Sequence, residues 1–176
     1  MTALVAVLAG GRGRRMGGGK ALAELGGTPL IGRPLAAAAA AGLEAVVVAK
    51  PATPLQPLDV PVWREPAEPF HPLLGIVTAL ERARRPVVAV ACDMPYVTAD
   101  LLAELAHGPA SALRLNGRLE PFPARYEPAH LAALRRALRD DAALRGTLVG
   151  LEPVTIDIDD ARLVASINTP EQLRDA

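Results

Sequence analysis

The chain has 176 residues, 51% of them hydrophobic, with 19 basic and 19 acidic side chains and a formal net charge of zero. That length suits one domain over residues 1–176 with a sizeable core, and the even charge balance excludes a general nucleic-acid binder or a disordered tail. A lone cysteine, Cys92, cannot form an internal disulfide and points to the cytoplasm.

The opening MTALVAVLA lacks the basic leader of a signal peptide, so Leu4 to Ala9 reads as a first strand. Pro29 to Ala41 reads as a helix, with Pro near its start and Gly42 just past its end. Its apolar run LAAAAAAGL is too short to span ~30 Å of hydrocarbon, and no membrane partner is expected. AVVVA at Ala45 to Ala49 and a short Val60 to Trp63 are the next strands, separated by a proline-bearing loop from Lys50 to Asp59. Pro72 to Arg85 is a helix with Leu73, Ile76, Val77 and Leu80 on one face, and VVAVA at Val87 to Ala91 is a fourth strand. Continuous apolar runs of this kind suit strands buried on both faces of a parallel sheet.

After Asp93 the rhythm changes. Thr98 to Ala106 reads as a short capped helix. Ala112 to Leu115 and Pro121 to Tyr126 flank Asn116-Gly117, a two-residue hairpin signal. A helix at Pro128 to Leu138, a strand at Val154 to Ile158 and a closing helix opened by Thr169-Pro170-Glu171 complete the chain. Strand-helix alternation followed by a hairpin predicts an α/β fold, a three-layer α/β/α sandwich on a mixed, mostly parallel Rossmann-like sheet.

The stretch LAGGRGRRMGGGK, from Leu8 to Lys20, carries the functional signal. The P-loop template fails twice, because Arg14 stands at its first glycine and Ala21 replaces the hydroxyl that would hold magnesium. The dinucleotide template fails because Met16 replaces its last glycine and no acidic residue follows the second strand. What remains is a run of little-obstructed backbone N–H groups with cations beside it, a chemistry suited to a triphosphate. Basic residues here are nearly all arginine, with Lys20 and Lys50 the only lysines.

The segment LAGGRGRRMGGGKALAELGGTPLI resembles the signature of the nucleotide-diphospho-sugar transferase type of nucleotidyltransferase, and most of all the molybdenum cofactor guanylyltransferases. HPLLGIVTAL at His71, ACDMPYV at Ala91, RLEPFPARY and SINTPEQL at Ser166 continue the resemblance in order. It implies transfer of GMP from GTP to the phosphate of molybdopterin cofactor with release of pyrophosphate. It also implies that Leu8, Ala9, Gly10 and Gly11 contact the nucleoside, that Glu65 lies near it, and that Lys20 binds the triphosphate. Asp93 would coordinate Mg2+ and Asn168 would lie on the substrate side. Transient contact with proteins that deliver molybdopterin or mature molybdoenzymes is implied as well. The chain departs from the family pattern at Gly19, Ala49, Glu65, His71 and Ser166.

Joining a phosphate to the α-phosphorus of GTP requires charge neutralisation and in-line alignment rather than covalent catalysis. Asp93 follows a buried strand at the edge where α/β proteins bind ligands, and a hard carboxylate suits Mg2+. Lys20 would stabilise the pyrophosphate charge, with Arg15 or Arg14 assisting through the guanidinium fork. Cys92 reads as a buried strand residue, and His71, His107 and His130 lack metal-ligand spacing. Asp157, Asp159 and Asp160 read as the exposed face of an edge strand. Two other functions stay open: a cytidylyl or other small-molecule nucleotidyltransferase, and a non-catalytic nucleotide-binding protein. A glycine at position 10, where cytidylyl relatives carry alanine, leaves room beside the base and favours guanine.

Overall fold

The structure, a computed structural model, describes residues 1–11, 19–109 and 111–174. Arg14 and Arg15 fall outside the described residues. In chain order the elements are β1 (Leu4–Leu8), β2 (Glu24–Leu25), β3 (Thr28–Pro29), α1 (Gly32–Ala40), β4 (Ala45–Ala49), β5 (Val62–Arg64), α2 (Pro72–Ala83) and β6 (Val87–Ala91). They continue with α3 (Ala99–His107), β7 (Ala112–Leu115), β8 (Arg118–Tyr126), α4 (Leu131–Arg139), α5 (Leu144–Gly150), β9 (Thr155–Ile158) and α6 (Pro170–Arg174).

Seven strands form one sheet in the order β5-β4-β1-β6-β8-β7-β9. β5, β4, β1 and β6 run parallel, and β8 enters antiparallel to both β6 and β7. β1 sits centrally with both faces covered. Val5 and Val7 pack with Ala38 of α1 and Leu102 of α3, while Leu4 and Ala6 pack with Leu73, Ile76 and Leu80 of α2. That two-sided burial is why its sequence is apolar throughout rather than alternating. The result is the expected three-layer sandwich, with α4 and α5 completing the α2 face through Leu134, Leu144 and Leu148.

Element ends differ from the sequence expectation where local chemistry was subtle. Pro29 belongs to the small β2–β3 hairpin, so α1 starts only at Gly32. The β7–β8 hairpin turns at Asn116 (φ 50°) and Gly117 (φ 77°), the positive-φ pair that a primed turn demands. β8 nevertheless begins at Arg118, three residues before the predicted start. A 3-10 turn over Pro128–His130 precedes α4. α5 was not anticipated; its short run LRGTLVG carries two glycines and no side-chain cap. β9 is an edge strand with Asp157 outward, paired to Arg114 on β7.

Candidate active site

A cavity of about 680 Å³ opens at the carboxyl ends of β1, β4 and β6. The strand order reverses between β1 and β6, the switch point at which open α/β sheets leave a crevice for ligands. Pairing persists to the strand tips: the Ala9 N–H donates to Val48 O at 2.8 Å and the Cys92 N–H to Leu8 O at 3.0 Å. Rigid tips therefore deliver Leu8, Ala9, Gly10, Gly11 and Asp93 into the cavity wall, joined there by Lys20 and Glu65.

Lys20 opens a single 3-10 turn, Lys20–Leu22, braced by Ile31 N–H to Ala21 O at 3.2 Å. Its ammonium forms an ion pair with the Asp93 carboxylate and donates to Asn168 Oδ1 at 2.7 Å. Asp93 is 6% exposed, so that pairing keeps a buried charge from standing alone. Asn168 arrives because the Ile167 N–H donates to Asp93 O at 2.9 Å, and Ile167 packs with Leu25 and Leu30 of the β2–β3 hairpin. Gln172 Oε1 accepts from the Asn168 N–H at 2.7 Å and fixes the closing turn. Lys20, Asp93 and Asn168, separated widely in sequence, thus meet as one cluster.

The opposite end is built around Glu65. Its N–H donates to Ala49 O at 3.0 Å, extending the β4–β5 pairing past Arg64. The residue is 4% exposed, and its carboxyl lies close to two glycines. A Cβ added at Gly10 would fall 1.9 Å from Glu65 Oε1, and one at Gly75 would fall 3.3 Å from Oε2. The room that glycine leaves at position 10 is therefore filled by the Glu65 carboxylate. This corrects the expectation of open space beside the base: Gly10 admits an acceptor, not only a larger ring. Oε2 is buried with no hydrogen-bond partner among the described residues. Burial pushes the Glu65 carboxyl above the usual range, opposed by the charge and hydrogen bond of Lys50. A buried acceptor without a donor costs about 1–3 kcal/mol, a deficit that a ligand N–H would remove.

Lys50 was visible in sequence only as one of two lysines, and no role was read for it. Its Nζ lies 3.4 Å from Glu65 Oε1 and donates to Pro66 O and Pro69 O at 2.7 Å each. Thr53, likewise missed, donates its hydroxyl to Ala9 O at 3.4 Å. His71, one of the departures from the family pattern, lines the cavity. Its Nδ1 accepts from the Leu73 N–H at 3.1 Å, capping α2 from the cavity rim. Cys92 is buried, and its thiol is pushed up to about 12 by burial and the neighbouring Asp93 charge, which denies it a nucleophile's role.

Among the described residues no group of three or more His, Cys, Asp and Glu could hold a metal together. Mg2+ does not need one, since it binds through one or two carboxylates and completes its shell with waters and substrate phosphates. Asp93, a hard carboxylate already countered by a cation, fits that requirement. No helix among the described residues is long and apolar enough to cross a membrane.

The model of the MobA-like NTP transferase domain matches residues 5–154. A molybdenum cofactor guanylyltransferase of Pseudomonas putida is 34% identical, covering 97% of this chain and 95% of its own. One from Methylibium petroleiphilum is 41% identical over 57% of this chain and 52% of its own length. Among solved structures, molybdopterin-guanine dinucleotide biosynthesis protein A of Archaeoglobus fulgidus superposes with a TM-score of 0.73 at 26% identity, covering 98% of this chain and 95% of that one. With the nucleotide-type cavity at the sheet's switch point, these similarities identify the chain: it belongs to the MobA-like NTP transferase family of nucleotidyltransferases.

Proposed function

We propose that the protein transfers GMP from GTP to the phosphate of molybdopterin cofactor in a Mg2+-dependent reaction that releases pyrophosphate. The observation carrying the choice of base is the Glu65 carboxylate, pressed on Gly10 with an unpartnered oxygen. Guanine presents two adjacent donors, N1–H and N2–H2, that match two carboxylate oxygens. Cytosine offers one amino group beside an unprotonated ring nitrogen, whose lone pair would face an anion. A site built around matched polar groups rejects the mismatched ligand strongly.

The other end of the cavity supplies the charge. Lys20 pairs with Asp93 in the free protein, and we assign it to the outer phosphates of a bound triphosphate. Gly11, with no side chain, lets the backbone approach the phosphates closely. Asp93 would hold Mg2+, which when bound neutralises phosphate charge. A molybdopterin phosphate oxygen attacks the α-phosphorus, the bond to the β-phosphate oxygen breaks, and pyrophosphate leaves with that electron pair. Lys20 offsets the charge that builds on the leaving group, and alignment within the rigid crevice supplies the remainder. Asn168 accepts a hydrogen bond from Lys20 and orients that ammonium.

The test is pyrophosphate release from GTP with molybdopterin cofactor and Mg2+, together with mass detection of the guanine dinucleotide product. Nucleotide binding without product would instead support a non-catalytic binder.

A further inference from the structure

Lys50 follows β4 directly and is 4% exposed, a costly place for an ammonium. Its surroundings resolve that cost. An ammonium has three N–H donors. Here the carbonyls of Pro66 and Pro69 at 2.7 Å and Glu65 Oε1 at 3.4 Å receive it, while the Phe70 ring lies 5.1 Å away. The backbone carbonyl of Lys50 in turn accepts from Arg64 at 2.7 Å, tying the lysine to β5. One side chain thus straps residues 65–70 and faces the carboxylate that reaches Gly10.

We propose that Lys50 is the positioning residue for base selection, holding Glu65 as an anion against Gly10 so that the carboxylate accepts from a guanine edge. The inference rests on the guanine reading above. Lys50 contacts Oε1 but is not among the described residues that line the cavity, so it acts through Glu65.

Among the described residues, the other charged or titratable groups lining this cavity are Glu68 and His71 before α2, Cys92 after β6, and Lys20 and Asp93 at the far end. Lys20 and Asp93 pair with each other, and His71 is occupied as the cap of α2. Lys50 is the contacting counter-charge for Glu65. Burial already pushes the Glu65 carboxyl upward, and Lys50 is what opposes that push. Without the lysine, a protonated carboxyl would present an O–H and one free acceptor to two guanine donors. Unpaired buried glutamates can titrate as high as about 8–9, so this loss is reversible by base within an accessible range.

The experiment measures GTP and CTP dissociation constants with Mg2+ for the wild type, Lys50→Met, Glu65→Gln and the double variant, from about pH 6 to about pH 9. The wild-type GTP preference should be flat over that range. Lys50→Met should lose at least ~10-fold of the preference near neutral pH and regain it as pH rises. Lys50→Met/Glu65→Gln, which buries neither charge, should show the same preference as Glu65→Gln alone, and this comparison stays decisive should the single lysine variant fail to fold. Equal, pH-independent losses for both nucleotides in Lys50→Met overturn the role of Lys50 and leave the guanine reading standing. So does a preference in the double variant well below that of Glu65→Gln. A wild type with no GTP preference removes both.

Discussion

The contact between Gly10 and Glu65 makes a graded prediction across three glycines of the cavity. A methyl at Gly10 would sit 1.9 Å from Glu65 Oε1 and 2.9 Å from its carboxyl carbon, so the carboxylate must leave. It cannot yield easily, because Lys50 holds Oε1 and the carboxyl is buried. At Gly75 the new methyl would meet Leu8 at 3.2 Å and Oε2 at 3.3 Å, a misfit of a few tenths of an ångström. At Gly11 nothing among the described residues lies within 4 Å. Overpacking costs about 1–3 kcal/mol, and a chain of this size loses about 2–4 °C in Tm per kcal/mol. Gly10→Ala should therefore lower Tm by several degrees, Gly75→Ala by less, and Gly11→Ala not at all. Displacing Glu65 also removes the acceptor proposed for guanine, so Gly10→Ala should cost about 10–100-fold in GTP kcat/KM while CTP changes little. Thermal melts of the three free proteins and kinetics with both nucleotides check this. Indistinguishable Tm values for Gly10→Ala and Gly11→Ala, with GTP kinetics unchanged, would refute the placement of Glu65.

Asp93→Asn keeps size and polarity but removes the charge proposed for Mg2+, and turnover should fall at least ~100-fold, about 2.7 kcal/mol of barrier, with the fold intact by circular dichroism. Lys20→Ala should weaken GTP binding more than GMP binding in calorimetry, because the lost cation is assigned to the outer phosphates. His130 offers a pH effect unconnected with the site. Its Nδ1 accepts from the Glu127 N–H at 3.2 Å, and burial holds its pKa below the ordinary 6.5, against the opposing Glu127 charge. The unfolded chain therefore takes up this proton first as pH falls, so stability should decline below about pH 6.5. His130→Gln keeps the acceptor of the capping box and should flatten that decline in Tm against pH.

Much of this architecture was legible because the sheet strands are buried on both faces. Runs such as AVVVA and VVAVA, too short for helices and set between helical patterns, fit little besides interior strands. The two members of the Lys20–Asp93 pair could be named for a related reason: Asp93 follows such a strand after Cys92, and Lys20 ends a glycine run. The base end was harder. Glu65 could be named from a pattern, but its approach to Gly10 is a tertiary fact arising from the β4–β5 register. Lys50 left no motif at all, since its partners are two carbonyls whose positions depend on the loop after β5. α5 was missed because its glycines weaken helical propensity, and burial of Leu144 and Leu148 overrides that weakness.

A guanylyl transferase whose base is read by Glu65 must discriminate between triphosphates in turnover. The most direct test is steady-state pyrophosphate release by the wild-type protein with molybdopterin cofactor and Mg2+, supplied with GTP or CTP in separate assays. We expect a GTP preference of at least ~100-fold in kcat/KM, about 2.7 kcal/mol. Equal rates, or faster reaction with CTP, would contradict that reading.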